Sequence, residues 1–229
     1  MSKDKIQNSI GINIIGFILT AMAGWIDTIG VRIFLNENAA FMTGRGFILG
    51  YWAYKWEIRM FMSIVLVIIA FITGACVSTI ITKKIGLSGG LLFTGILIII
   101  ASLPISLQNP IIATFFLPMA MGCQNAATSL TKINRTTHLT GPATDIGINI
   151  AEGNWKIVRF WIYRWIGFPF GSIMAFNLIN LVNKNKISVS ATLIIPAIII
   201  VSTGIIQRLI FDIPLLDQTI TGEQKKEII

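Results

Sequence analysis

The sequence predicts an all-α, polytopic membrane protein, and three observations predict it. Of the 229 residues, 54% are hydrophobic and only 12% charged, whereas a soluble domain needs roughly 25% charged residues to cover its surface. Mean hydropathy is +0.78. The apolar residues gather in uncharged runs about as long as a bilayer core is thick, near 20 residues for a helix. The formal net charge of +8 fits this class, because Lys and Arg collect in cytoplasmic loops beside anionic lipid. The basic residues are scattered between apolar runs and form no continuous face, which argues against nucleic acid as a partner.

Six runs are long enough to cross. Residues 6–26 supply the first and 60–82 the second. Residues 85–131 carry no charge over too long a stretch for one helix. The Leu-Gln-Asn-Pro sequence at 107–110 breaks them into spans near 88–106 and 110–131, since Pro and polar residues mark a turn. Residues 165–183 and 187–207 complete the set. The N-terminus has a basic start and an apolar core, but its apolar part is long and ends in no A-x-A-like site, so it reads as a retained first span.

Segments 32–58 and 132–159 remain. Each has Thr-Gly near its middle, and the first carries Arg45 in a short apolar stretch. Exposed irregular backbone is not tolerated in lipid, whereas re-entrant segments buried in protein are. A Thr before or at a helix start and a Pro in the first turn are favourable, so short half-helices are expected at 44–55 and 142–152.

The chain also repeats itself, and such periods restrict the fold. Shifted by 97 residues, Thr43-Gly44 falls on Thr140-Gly141, Gly50 on Gly147, Phe71 on Phe168 and Gly74 on Gly171. With one residue of slippage, Gly24-Trp25-Ile26-Asp27 falls on Gly122-Cys123-Gln124-Asn125. Residues 1–106 then form a first three-helix repeat, 107–210 a second, and 211–229 a C-terminal tail, of which 219–229 reads as short and solvated. A repeat with three crossings must enter the membrane upside down in its second copy, the inverted plan of many secondary transporters. With the N-terminus inside, 11 basic residues lie on the inner side and 6 on the outer, with Arg164 inside a span and expected to snorkel inward. If the Thr-Gly segments crossed fully, eight spans in two parallel repeats would result, with a weaker charge bias. The expected location is the plasma membrane, multi-pass, with the N-terminus cytoplasmic.

The same motifs resemble the YoaK-type DUF1275 (UPF0700) family of bacterial membrane proteins. The resemblance rests on Gly24-Trp25-Ile26-Asp27, Thr43-Gly44-Arg45, Gly122-Cys123-Gln124-Asn125-Ala126, Thr136-Thr137-His138-Leu139-Thr140-Gly141 and Asp145-Ile146-Gly147. It covers roughly residues 15–205. The chain departs from the pattern at Arg45 and Pro142, where the family has Asn or another small polar residue. The resemblance implies a multi-span inner-membrane protein and names no substrate.

The polar residues within this frame define the expected site. A helix start offers free N–H groups and a partial positive charge, a ready place for an anion or a carbonyl group, and Gly allows close approach. Substrate binding is therefore assigned to Thr43, Gly44, Arg45, Gln124, Asn125, His138, Thr140 and Gly141. Asp27 and Asp145 are carboxylates at membrane depth, functional candidates by default, and are assigned to ion coupling. His138 is the only histidine and titrates nearest neutrality. Structural readings compete at each position: Asp27 can pair with Arg32, Asp145 can favour its helix start, and Gln124 and Asn125 can join helices. The two cysteines are expected to be buried small residues, with no Cys/His cluster for a metal. No nucleophile–base set stands out, so no enzyme activity and no cofactor are expected.

The functional expectation is a secondary transporter of a small polar, anionic solute, held at the two half-helix starts. Its other partners are the bilayer and, in an oligomer, a second copy of the chain. The alternatives are a membrane scaffold or subunit without transport, a passive channel, and an intramembrane enzyme acting on lipid.

Overall fold

The computed structural model describes residues 3–35 and 39–216, and among these the chain is helical throughout, with a single isolated β-bridge between Thr131 and Leu215. Helix α1 spans Lys3–Ile29 and runs on as a π-helical turn, Gly30–Phe34. Then come α2 (Met42–Tyr54), α3 (Ile58–Ile85), α4 (Leu87–Ala101), a short α5 (Pro104–Gln108) and α6 (Pro110–Ser129). The second half, which α6 opens, continues with α7 (Thr140–Ala151), α8 (Trp155–Asn183) and α9 (Ala191–Ile206), which ends in a π-helical turn, Gln207–Phe211.

Local chemistry explains the boundaries. The side chain of Asn109 accepts from the Ile111 N–H at 3.2 Å, and Pro110 occupies the first turn of α6, a combination that starts a helix because Pro lacks the N–H that would be orphaned there. Between α3 and α4 the chain reverses at Gly86, whose φ of 83° is open to glycine without strain. Gly90 then lies against Ser78 and Thr82, so α4 returns antiparallel along α3.

Four stretches are long and apolar enough to cross a membrane: Ile10–Phe34, Ile58–Ile85, Trp155–Asn183 and Ala191–Phe211. Helix α4 is apolar but shorter, with 15 residues, and α6 has 20. Large apolar side chains such as Ile72, Ile99, Ile173 and Ile198 point outward, as lipid-facing residues do. The aromatic clusters at 51–56 and 161–165 are mostly exposed, though Trp161 is buried.

The halves interlock by exchange. Helix α1 packs on α8, and α3 on α6, so the first long helix of each half embraces the second long helix of the other. The contacts recur residue for residue. A Cβ on Gly24 would run into the Phe168 carbonyl, and one on Gly122 into that of Phe71. A Cβ on Gly171 would meet the Ala21 carbonyl, and one on Gly74 that of Met119. These glycines let helix backbones touch, the small-residue packing typical of apolar bundles. Helix α2 packs on α3 as α7 packs on α8, and α4 lies on α9.

The contacts also fix directions. Ile12, Ala21 and Gly24 meet Arg164, Gly171 and Ser172 in ascending order, so α1 and α8 run parallel. Gly74 and Ser78 meet Met119 and Cys123, so α3 and α6 are also parallel. Leu91 meets Gly204 and Gly95 meets Val201, so α4 and α9 are antiparallel. Gly11 lies against Phe211, while the Trp25 indole donates to the Thr192 carbonyl at 2.9 Å, so α9 also opposes α1.

One expectation changes. Only Cys123 is buried; Cys76 is exposed on α3. The residues that follow α9 are packed: the Leu216 N–H donates to the Leu130 carbonyl at 2.8 Å, the Ile213 N–H to Gln207 Oε1 at 3.1 Å, and Ile213 is buried. Residues 217–229, with the stretch 219–229 expected to be solvated, lie outside the described residues.

Candidate functional site: two polar nests on the exchanged helices

The first nest lies at the end of α1. Asp27 is buried, and its Oδ1 accepts from the N–H groups of Ala39 and Ala40 at 2.7 and 2.9 Å. This ties the segment ahead of α2 to α1. Arg45, in the first turns of α2, is also buried and is attracted by the Asp27 charge. Thr43 is exposed. A Cβ on Gly44 would collide with the Phe41 ring, so that glycine serves local packing. Thr43 lies in the first turn of α2 and Thr140 in that of α7; the cap positions are Phe41 and Leu139, without side-chain cap bonds. The expectation that the threonines cap these helices therefore does not hold.

The second nest lies at the end of α6. Gln124 is fully buried, and its Nε2 donates to the Leu19 carbonyl at 2.8 Å and to Thr136 Oγ1 at 3.1 Å. Thr128 and Thr136 share a hydroxyl–hydroxyl bond of 3.2 Å. Gln124 Oε1, Asn125 Oδ1 and Thr137 Oγ1 are buried without a hydrogen-bond partner among the described residues. Asp27 and Asn125 are equivalents under the repeat, yet only Asp27 is satisfied by the loop that follows its helix.

Beside this nest, α7 begins in an electropositive setting. A Cβ on Gly141 would lie 3.3 Å from the His138 ring and 3.5 Å from the Arg135 guanidinium. Burial, and then the Arg135 charge, hold the His138 imidazole below its ordinary value of 6.5. Thr140 is exposed, and its carbonyl accepts from Thr144 Oγ1 at 3.1 Å. Asp145 is half-buried on the next turn, and its backbone carbonyl accepts from Asn149 Nδ2.

Arg164 lies inside, not at the interface to which it was expected to snorkel. It is 1% exposed. Its Nε donates to the Ile133 carbonyl at 3.1 Å, Nη1 to that of Phe160 at 2.8 Å and Nη2 to that of Ile12 at 3.3 Å. The guanidinium also covers the Phe160 ring, 3.4 Å from its centroid. One side chain thus ties α8, α1 and the segment ahead of α7. A charge within an apolar run was the signal in the sequence, and by default such a charge is functional. Thr128, Thr136 and Thr137 were also missed, although Thr136 and Thr137 belong to the motif that drew attention to His138 and Thr140.

The expected site residues fall into two groups. Asp27 and Arg45 come together in the first nest. Gln124 and Asn125 are neighbours in the second, and His138 and Gly141 meet at the start of α7. Helices α2 and α7 each pack on the long helix that follows, and no extended contact joins them. Among the described residues no three His, Cys, Asp or Glu side chains come together.

No curated protein and no solved structure matches the chain. A family model described as "Protein of unknown function (DUF1275)" matches residues 15–206, which takes in both nests, both half-helices and the exchanged long helices. The chain belongs to the DUF1275 family.

Proposed function

We propose that this protein is a secondary transporter of a small polar, anionic solute, built as six crossings in two inverted halves. The crossings are α1, α3, α4, α6, α8 and α9. The helix directions support this plan: α1, α4 and α8 run one way, and α3, α6 and α9 the other. The distribution of basic residues supports an N-terminus in the cytoplasm, and the membrane proposed is the plasma membrane.

One observation carries the reading. The segment ahead of each half-helix is pinned to the interior by one buried charge. Asp27 holds Ala39 and Ala40, and Arg164 holds Ile133. Asp27 and Ile12, the α1 residue that Arg164 reaches, are 15 positions apart on one helix, or about 22 Å at 1.5 Å per residue. The two pins therefore act at opposite ends of the α1–α8 pair. Alternating access needs two closures on either side of a shared interior, and each pin can release while the other holds. The solute would meet the start of α7, where Arg135 and His138 flank Gly141 and the free N–H groups favour negative charge.

The test is uptake of a panel of labelled small anions, among them acetate, lactate and phosphate, into liposomes holding purified protein. Saturable uptake lost in Gly141→Val and Arg135→Gln, with folding intact, supports transport. A scaffold gives no uptake of any anion, and a passive channel gives uptake that no gradient can drive uphill.

A further inference from the structure

Gln124 Oε1, Asn125 Oδ1 and Thr137 Oγ1 are buried at the end of α6 and meet no partner among the described residues. The orientation of the Gln124 amide is fixed, because its Nε2 donates to the Leu19 carbonyl, which can only accept. Its Oε1 is therefore an acceptor left open. Gln124 is fully buried and Thr137 is 2% exposed. An unmet polar oxygen in a low-dielectric interior is costly, and three of them, two in the Gly122–Ala126 motif and one in the Thr136–Gly141 motif, mark a place where something donates.

We propose that these three oxygens form a binding site for a small monovalent cation, either a sodium ion or the ammonium head of a solute. Hard cations take oxygen ligands, including Asn and Gln carbonyls, and an ammonium has donors and no acceptor. The set lies toward the C-terminal end of α6, which favours positive charge. It contains no carboxylate, and the Arg164 guanidinium bonds to Ile133 in the same segment, so a divalent ion would find too little compensation. The repeat supplies the contrast. In the first half, the counterpart of Asn125 is Asp27, which takes the N–H groups of Ala39 and Ala40. In the second half, no N–H of the corresponding segment reaches Asn125 Oδ1. The fold satisfies itself at one corner and leaves the equivalent corner to a ligand. That the cation drives solute movement rests on the transport reading; that it binds does not.

The test is thermal unfolding and titration calorimetry of the purified full chain in detergent, with sodium chloride, ammonium chloride, methylammonium chloride and choline chloride at equal ionic strength. A saturable rise in midpoint with sodium identifies an ion site, and one with methylammonium but not sodium identifies a head-group site. Choline, which is too bulky, gives none. Gln124→Leu and Thr137→Val each reduce affinity about tenfold or more. Thr137→Val removes only an unpartnered hydroxyl, so it folds even where Gln124→Leu, which also breaks the bonds to Leu19 and Thr136, does not. The proposal is overturned where no cation differs from choline, or where Thr137→Val binds as tightly as the unaltered protein. Cation binding without anion flux rejects transport and keeps the site; flux without cation binding does the reverse.

Discussion

Gly24 and Gly122 occupy the same place in the two halves: each presses its backbone against a phenylalanine carbonyl on the long helix of the opposite half, Phe168 for Gly24 and Phe71 for Gly122. The obstacle to a side chain is helix backbone, which cannot swing aside. Gly24→Ala and Gly122→Ala should therefore each force two helices apart and lose about 1–3 kcal/mol, read as a lowered unfolding midpoint in detergent. Gly46 has open space around it, so Gly46→Ala should be neutral or gain up to about 1 kcal/mol from helix propensity.

Asp27 is the acceptor for two backbone N–H groups and the neighbour of a buried guanidinium. Asp27→Ala strands all three and should cost roughly 3–5 kcal/mol. Asp27→Asn keeps an acceptor and should cost less. Adding Arg45→Met to Asp27→Ala should recover part of the loss, because it removes the stranded charge. A double-mutant cycle on unfolding free energies reads this coupling directly.

Arg164→Leu should loosen the segment ahead of α7 without dissolving the bundle, since the α1–α8 contact also rests on Gly24 and Gly171. Limited proteolysis between 131 and 139 should become faster. Arg164→Lys should not restore resistance, because an ammonium is a point donor and the three carbonyls of Ile12, Ile133 and Phe160 need a fork.

His138 is held below its ordinary 6.5 by burial and by Arg135. The fold thus favours neutral imidazole. Its contribution is complete above 6.5 and declines as pH falls from there toward the lowered value, because the unfolded chain takes up the proton first. The unfolding midpoint should drop as pH falls from neutrality through 6.5, and His138→Gln should flatten that dependence.

The residues announced the architecture better than the site. Uncharged runs, the break at Asn109-Pro110 and the recurrence of Gly24 at Gly122 and of Gly74 at Gly171 follow from local composition, and the helices fall where these features put them. The half-helices begin at Met42 and Thr140, close to their expected positions. Partnership across the fold was not legible. Nothing local to Arg164 shows that it reaches Ile12 and Ile133, and nothing near Asp27 distinguishes pairing with Arg32, five residues on, from pairing with Arg45 and the amides of Ala39 and Ala40. The exchange of long helices between halves likewise depends on tertiary contacts that a linear repeat does not encode.

Orientation of the two halves is the claim on which the transport reading depends. Trp56, between α2 and α3, and Asn154, between α7 and α8, are exposed in corresponding turns of the repeat. With Cys76 and Cys123 replaced by alanine, single cysteines at these two positions would be challenged in intact cells with a membrane-impermeant thiol reagent. Inverted halves predict that position 56 reacts from outside and position 154 only after permeabilisation. Reaction of both from the same side would contradict the account.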